Sequence, residues 1–281
     1  MSRFSRWVGP TFTQLLLVSW AFITLFPLGI AVLSSVRSNK DIYASPIGLD
    51  LSRLDFANFT EALNGPVGGS PLWVYFTNSV IVTACSLALG ISVGILAAYG
   101  LARSASPALM MINRYLTILI TVPVLAILVP VFNLTGALNI RDNLFGVSLV
   151  YAAMMVPTTT LLMRPYFTSI PAELIEAATI DGAGEGRTFL QVVLPMAMPT
   201  ILGVIVINAI AIWGELTLAL VLLVSAGNKT LPVGLLAFQG QYFTDLGVQS
   251  AGLLIASAPM ILLYFVFSQR ITQGMAAGAL K

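Results

Sequence analysis

Long apolar runs alternate with short polar joints along this chain. Residues 11–33, 72–102, 115–137, 143–163, 199–225 and 248–268 each form a run of mostly hydrocarbon side chains. Each exceeds the roughly 18 residues that a helix needs to cross a bilayer. The second run is longer than a bilayer requires, so its ends project beyond the lipid or it tilts. Pro123 and Pro130 in the third run and Pro157 in the fourth predict kinks, with the freed carbonyls satisfied by neighbouring helices. Gly90, Gly94, Ala97, Ala98 and Gly100 in the second give the small-residue spacing that lets helices approach closely. The pattern predicts an all-α, polytopic membrane protein with six transmembrane helices.

Composition fits that reading. Hydrophobic residues make up 58% and charged residues 9% of the 281, against roughly a quarter charged in soluble domains. A net charge of +2 gives no basis for nucleic-acid binding. Cys85 stands alone, so no intrachain disulfide can form. The chain has no histidine, which removes the commonest ligand of zinc and proton-relay sites; no metal site is expected. Arg3 and Arg6 ahead of an apolar run mimic a signal peptide. Residues 7–36 carry no charge, however, and no small-x-small site follows, so this run reads as a retained first helix.

Lysine and arginine set the orientation. With the amino terminus inside, the inner side collects eight basic and four acidic residues and the outer side five basic and six acidic. Both termini are then expected in the cytoplasm. So is the one charged island of the chain, residues 171–199.

That island reads P-A-E-L-I-E-A-A-T-I-D-G-A-G-E-G-R-T-F-L-Q-V-V-L-P-M-A-M-P. Pro171 fits a first helical turn, where its missing N–H costs nothing, and Glu173 complements the helix dipole. Leu174, Ala177, Ala178 and Asp181 fall on one face. Gly182 and Gly184 can adopt the left-handed conformation that ends a helix. A second amphipathic piece follows, with Phe189, Val192 and Val193 on one side, stopped by Pro195 and Pro199. A helix–turn–helix on the inner membrane face is predicted. Its alanines suit a helix that must enter a groove on a soluble partner, and Glu176 can pair with a basic residue there. A helix resting on lipid headgroups normally carries Lys and Arg rather than acids.

The order E-A-A, D-G, L-P (Glu176, Ala177, Ala178, Asp181, Gly182, Leu194, Pro195) resembles the EAA loop of ABC-importer permeases, the element that docks onto the ATPase. Y-F-T-N-S at 75–79, A-A-Y-G-L-A-R at 97–103 and G-M-A-A-G-A-L-K at 274–281 are similar to carbohydrate-importer permeases, and the shorter permease of maltose-type importers is the nearest in pattern. The resemblance covers nearly the whole chain. It implies a type I ABC-importer transmembrane domain in a bacterial or archaeal cytoplasmic membrane, with residues 1–70 as a first helix plus an extracytoplasmic loop and 71–281 as the permease core. It implies a heterodimer with a second permease, two cytoplasmic ATPase subunits that carry ATP and Mg, and an extracytoplasmic sugar-binding protein; this chain itself binds no cofactor. Glu173 and the seven residues of the motif would form the ATPase-coupling surface. The loop 225–250, with Phe238, Gln239, Gly240, Gln241 and Tyr242, would reach toward the binding protein, and the tail 274–281 toward the ATPases. The family's Trp-Asn pair in the fifth helix is here Trp213-Gly214, followed by Glu215 and Leu216, so no role carries over from the asparagine.

Glu215 is the one ionisable residue expected deep within a run. An intramembrane charge normally faces a bundle interior or a water path; a translocation-path position and a place near the outer interface both fit. Trp213 beside it either stacks on a sugar ring or packs in the core. Gly227-Asn228-Lys229-Thr230 lacks the P-loop spacing, and Gly182-Ala183-Gly184-Glu185-Gly186 is not a dinucleotide fingerprint. The chain is therefore not expected to bind ATP itself, and the resemblance implies a non-catalytic subunit that moves a di- or oligosaccharide, or a related polyol or sugar phosphate, by alternating access. The competing class is an ion-coupled secondary transporter, which calls for an internal repeat and several intramembrane charges.

Overall fold

A computed structural model describes the backbone of residues 5–48, 54–104, 106–239 and 244–279, with side chains between 12 and 267. The elements are helical throughout: α1 (Ser5–Ser35), α2 (Asn39–Ala44), α3 (Ala57–Asn64), α4 (Leu72–Arg103), α5 (Pro107–Thr121), α6 (Val124–Ala137), α7 (Leu144–Ser169), α8 (Ala172–Ile180), α9 (Glu185–Thr188), a π turn (Phe189–Val193), α10 (Leu194–Trp213), α11 (Thr217–Leu222), α12 (Leu231–Leu236) and α13 (Leu246–Ala279). Among the described residues, five helices are long and apolar enough to cross a membrane, and the bent pair α5–α6 makes a sixth candidate.

The expected runs differ from these helices in instructive ways. The third run starts earlier, at Pro107, and breaks by 104° between α5 and α6. Pro123 lacks an N–H and forces Val122 into extended backbone, with ψ 119°, so the helix restarts rather than kinks. Pro130, Pro157 and Pro165 are tolerated inside helices, and α7 continues to Ser169. Pro195 and Pro199 do not stop the segment before the fifth span. A π turn absorbs the junction, Leu194 N–H bonding back to the Phe189 carbonyl, and α10 carries both prolines. The fifth run is not one helix to 225: it ends at Trp213, and Glu215 lies between α10 and α11. The sixth begins at Leu246, so the loop ahead of it is shorter than 225–250 and itself contains α12.

The chain divides into two compact units. The first comprises residues 1–72 and 235–257. No part of the hydrophobic window of α1 is buried against this chain, and Phe12, Leu17, Trp20 and Phe22 are all more than half exposed. Beyond α1 lies a polar knot. Arg37, 5% exposed, donates to the carbonyls of Asp41 and Ser45 at 2.8 Å each. Asn58 Nδ2 donates to the carbonyls of Ser35 (3.0 Å) and Arg37 (2.9 Å). A buried guanidinium is tolerated here because carbonyl oxygens replace its water. Ala62, Val248 and Ala251 form the small core of this unit.

The second unit comprises residues 73–234 and 258–281. Its core is built on α4 and α7, which run parallel. Val82, Ser86, Gly90 and Gly94 recur every four residues on α4, and they meet Ser148, Ala152, Met155 and Thr159 of α7. A Cβ on Gly94 would lie 2.6 Å from Thr159 Cβ, so only glycine permits this approach. Ser86 donates to the Ser148 carbonyl (3.2 Å) and Thr160 to the Gly94 carbonyl (3.3 Å). The same core takes in Met163, Phe167, Phe189, Val193, Ala197 and Val204, which seat α7 and α10 together around the charged island.

Candidate functional site: the charged island and the span break

α8 begins after Pro171, which is extended with ψ 137°, and Glu173 occupies its first turn. Its end is a complete Schellman motif. Gly182 has φ +77°, its N–H bonds to the Thr179 carbonyl (3.0 Å), and Ala183 N–H reaches the Ala178 carbonyl (2.9 Å). Of the expected face, only Ala178 is buried; Leu174, Ala177 and Asp181 are exposed, as are Glu173, Glu176 and Gly182. Ile180, at the end of α8, is 86% exposed. A Cβ on Gly182, Gly184 or Gly186 would touch nothing within 4 Å, which leaves the α8–α9 turn as a bare backbone surface. On the far side, Thr188, Phe189 and Val193 are buried, Leu194 is half-buried against the core, and Pro195 is exposed. The island is thus anchored through Ala178 and the π turn, with acids and small residues left outward.

At the other end of α10, Gly214 caps the helix, with its N–H on the Ile210 carbonyl (3.2 Å). Glu215 follows, half-buried. Its Oε1 accepts from Leu218 N–H (3.0 Å), and its Oε2 accepts from Ala219 N–H (3.2 Å) and from the Tyr151 hydroxyl (2.5 Å). The carboxylate supplies the cap that α11 would otherwise lack, which is why the fifth span breaks here. Trp213 is 8% exposed and sits edge-on to Phe76, with ring centroids 5.5 Å apart. It packs in the core in this state.

The loop after α11 is pinned from two sides. Asp142 accepts from Val224 N–H (2.9 Å), Ser225 N–H (3.0 Å) and the Ser225 hydroxyl, while Asn228 Nδ2 donates to the Asp142 carbonyl (2.7 Å). Desolvation pushes the Asp142 carboxyl up, but the bonds from Ser225, Asn228 and Val224 outweigh it, so it titrates below the usual carboxylate range. From α4, Asn78 Nδ2 donates to the carbonyls of Gly227 (2.8 Å) and Lys229 (3.0 Å), and Ser79 Oγ accepts from Leu231 N–H (2.8 Å). Tyr75, fully buried, lies against Gly234, where a Cβ would collide with its ring. The Y-F-T-N-S motif is therefore the socket that holds residues 227–234. Of the residues expected to reach outward, Phe238 is partly buried on the small core of the first unit, and Gln239 pairs with Thr244. Gly240, Gln241 and Tyr242, and the side chains of the tail 274–281, lie outside the described residues.

Sequence reading missed Tyr151, Tyr166 and Asp142. The signal available was a tyrosine inside an apolar run, since a buried phenol hydroxyl almost always has a partner. Tyr166 has one too, the Met196 carbonyl at 2.6 Å.

Comparison with known proteins agrees with this architecture. Residues 90–274 match the family described as the binding-protein-dependent transport system inner membrane component. A diacetylchitobiose uptake system permease of Streptomyces coelicolor is 33% identical, over 95% of this chain and 87% of its own length. A multiple sugar-binding transport system permease of Streptococcus mutans is 31% identical, over 95% of both chains. In structure, a chain of a bacterial ABC transporter involved in alginate import matches with a TM-score of 0.80 at 21% identity, covering 96% of this chain and 98% of its own. The all-helical fold is thus that of a type I ABC-importer permease, and the chain belongs to the binding-protein-dependent inner membrane component family, with the ABC permeases of carbohydrate uptake.

Proposed function

We propose that this chain carries a sugar or sugar derivative across a cytoplasmic membrane by alternating access, driven by ATPase subunits that dock on residues 172–186. The carrying observation is the outward face of α8 and its turn: Ile180 exposed, three glycines with open space around them, and Glu173, Glu176, Asp181 and Glu185 at the rim. An apolar side chain among small residues and acids fits a basic-rimmed groove on a soluble protein better than it fits anionic headgroups. The excess of Lys and Arg on the same side favours a cytoplasmic position for this face and for both termini.

The remaining parts follow from that docking. Two ATPase subunits hold ATP and Mg and hydrolyse the nucleotide; this chain supplies no catalytic group. A second permease completes the path, and lipid or that partner covers α1. An extracytoplasmic binding protein delivers the cargo near the loop that Asp142, Asn78 and Ser79 hold in place. Relatives named for diacetylchitobiose, for sulfoquinovosyl glycerol and for multiple sugars support a sugar or sugar derivative as cargo. Glu215, at a break that only a protein-lined or water-lined setting tolerates, borders the path. Nucleotide-driven closure of the ATPases displaces α8 and swings the bundle as a rigid body.

Gly182→Arg and Glu176→Lys test this in reconstituted transporter. Both variants are expected to insert normally and to lose solute uptake. Wild-type uptake in both would overturn the docking reading.

A further inference from the structure

α7 with the residues just ahead of it, and the segment that runs from α10 through α11, are tied together at three levels. At the island end, the Tyr166 hydroxyl donates to the Met196 carbonyl at 2.6 Å. Fifteen residues earlier on α7, or about 22 Å along a helix, the Tyr151 hydroxyl donates to Glu215 at 2.5 Å. At the far end, Asp142, just ahead of the α7 cap Asn143, takes both N–H groups of Val224 and Ser225 and gives its own N–H to the Leu222 carbonyl (2.9 Å). Between the first two ties lies continuous core: Met155 and Met163 of α7 with Ala197, Ile201 and Val204 of α10. The middle tie stands where the line from α10 to α11 is discontinuous. The backbone leaves helical form at 214–216, and α11 is held there by the burial of Leu218, Ala219 and Leu222 in the same core and by this tie. In this tie Glu215 binds Tyr151 and two N–H groups of α11 at once.

We infer that α7 and the α10–α11 segment form one stiff lever, and that Tyr151 and Glu215 are the positioning residues that brace its break, so that a displacement entering at 172–186 arrives undiminished at residues 222–228. The inference rests on the docking reading above, which says where the force enters. It assigns Glu215 a role distinct from touching solute. Its carboxylate is engaged by protein donors on both oxygens, and these donors belong to both arms of the lever. A charge-assisted bond of this kind is about twice as strong as a neutral one, which suits a joint that must carry load through every cycle.

The test uses the whole transporter in proteoliposomes. In a Cys85→Ser background, spin labels are placed through Ile180→Cys on α8 and Val224→Cys beyond α11, both exposed, and their separation is measured without nucleotide and with trapped ATP. The lever predicts one unchanged distance in both states, while the Ile180 label alone loses mobility when ATP binds. Adding Tyr151→Phe is expected to broaden the distance and make it nucleotide-dependent. Solute moved per ATP is then expected to be lost in large part while ATP hydrolysis continues. Glu215→Gln removes the charge and sets an amide NH2 against backbone N–H donors of α11, so it is expected to broaden the distance as Tyr151→Phe does. A parent distance that already changes with nucleotide overturns the lever and leaves docking standing, as does a Tyr151→Phe variant with parental distance and stoichiometry. An Ile180 label indifferent to nucleotide overturns both.

Discussion

Gly182→Ala probes the charged island with the smallest possible change. Gly182 sits at φ +77°, and a Cβ added there meets nothing within 4 Å. The perturbation is therefore purely conformational, with no clash to relieve. An L-residue in that region costs about 1–2 kcal/mol, and the two bonds that close α8, from Gly182 N–H to Thr179 and from Ala183 N–H to Ala178, depend on it. Such a cost raises the frayed population of the last turn about 5–30-fold. Amide exchange at positions 182 and 183 in the intact transporter reads this directly and is expected to accelerate by that factor. Gly184→Ala is the control: φ is −72° there and the space is equally open, so exchange should not change. If Gly182→Ala leaves exchange untouched, or Gly184→Ala accelerates it equally, the Schellman account of the α8 terminus is wrong.

Two further outcomes follow from the second unit. Asp142 has a lowered native pKa, so its bonds stabilise the 222–228 loop fully above the unfolded value near 4. The protection of the Val224 and Ser225 amides is then expected to vanish only as pH falls below that, and in Asp142→Ala, which has no acceptor, to be weak at every pH. Gly94→Ala places a Cβ 2.6 Å from Thr159, and overpacking of this kind costs about 1–3 kcal/mol. Its thermal midpoint in detergent should drop, whereas Gly100→Ala, with open space, should not lower it.

The apolar runs made the helical membrane class legible, because a span is specified by length and hydropathy alone. What they could not reveal was where a span breaks. Pro123 was visible as a kink but not as a 104° turn, since the outcome depends on what the freed ends pack against. The break at Gly214 was hidden because nothing local distinguishes a carboxylate inside a helix from one that leaves it to cap the next. Tyr151, 64 residues away, adds a bond to that carboxylate that no local pattern announces. The island was the opposite case. The start of α8 and its terminating glycine could be read from Pro171, Glu173 and Gly182, which act on their own backbone. The π turn that carries the chain through Pro195 could not, because it depends on the buried seats of Phe189 and Val193.

The central claim is that an ATPase subunit sits on the α8 turn. Replacing Ile180 with a photoreactive benzoylphenylalanine in the native membrane tests it most directly, since this side chain is exposed and touches little of its own chain. Irradiation is predicted to join the permease to a nucleotide-binding subunit, with a yield that changes when ATP is trapped. Crosslinks to lipid alone would contradict the account.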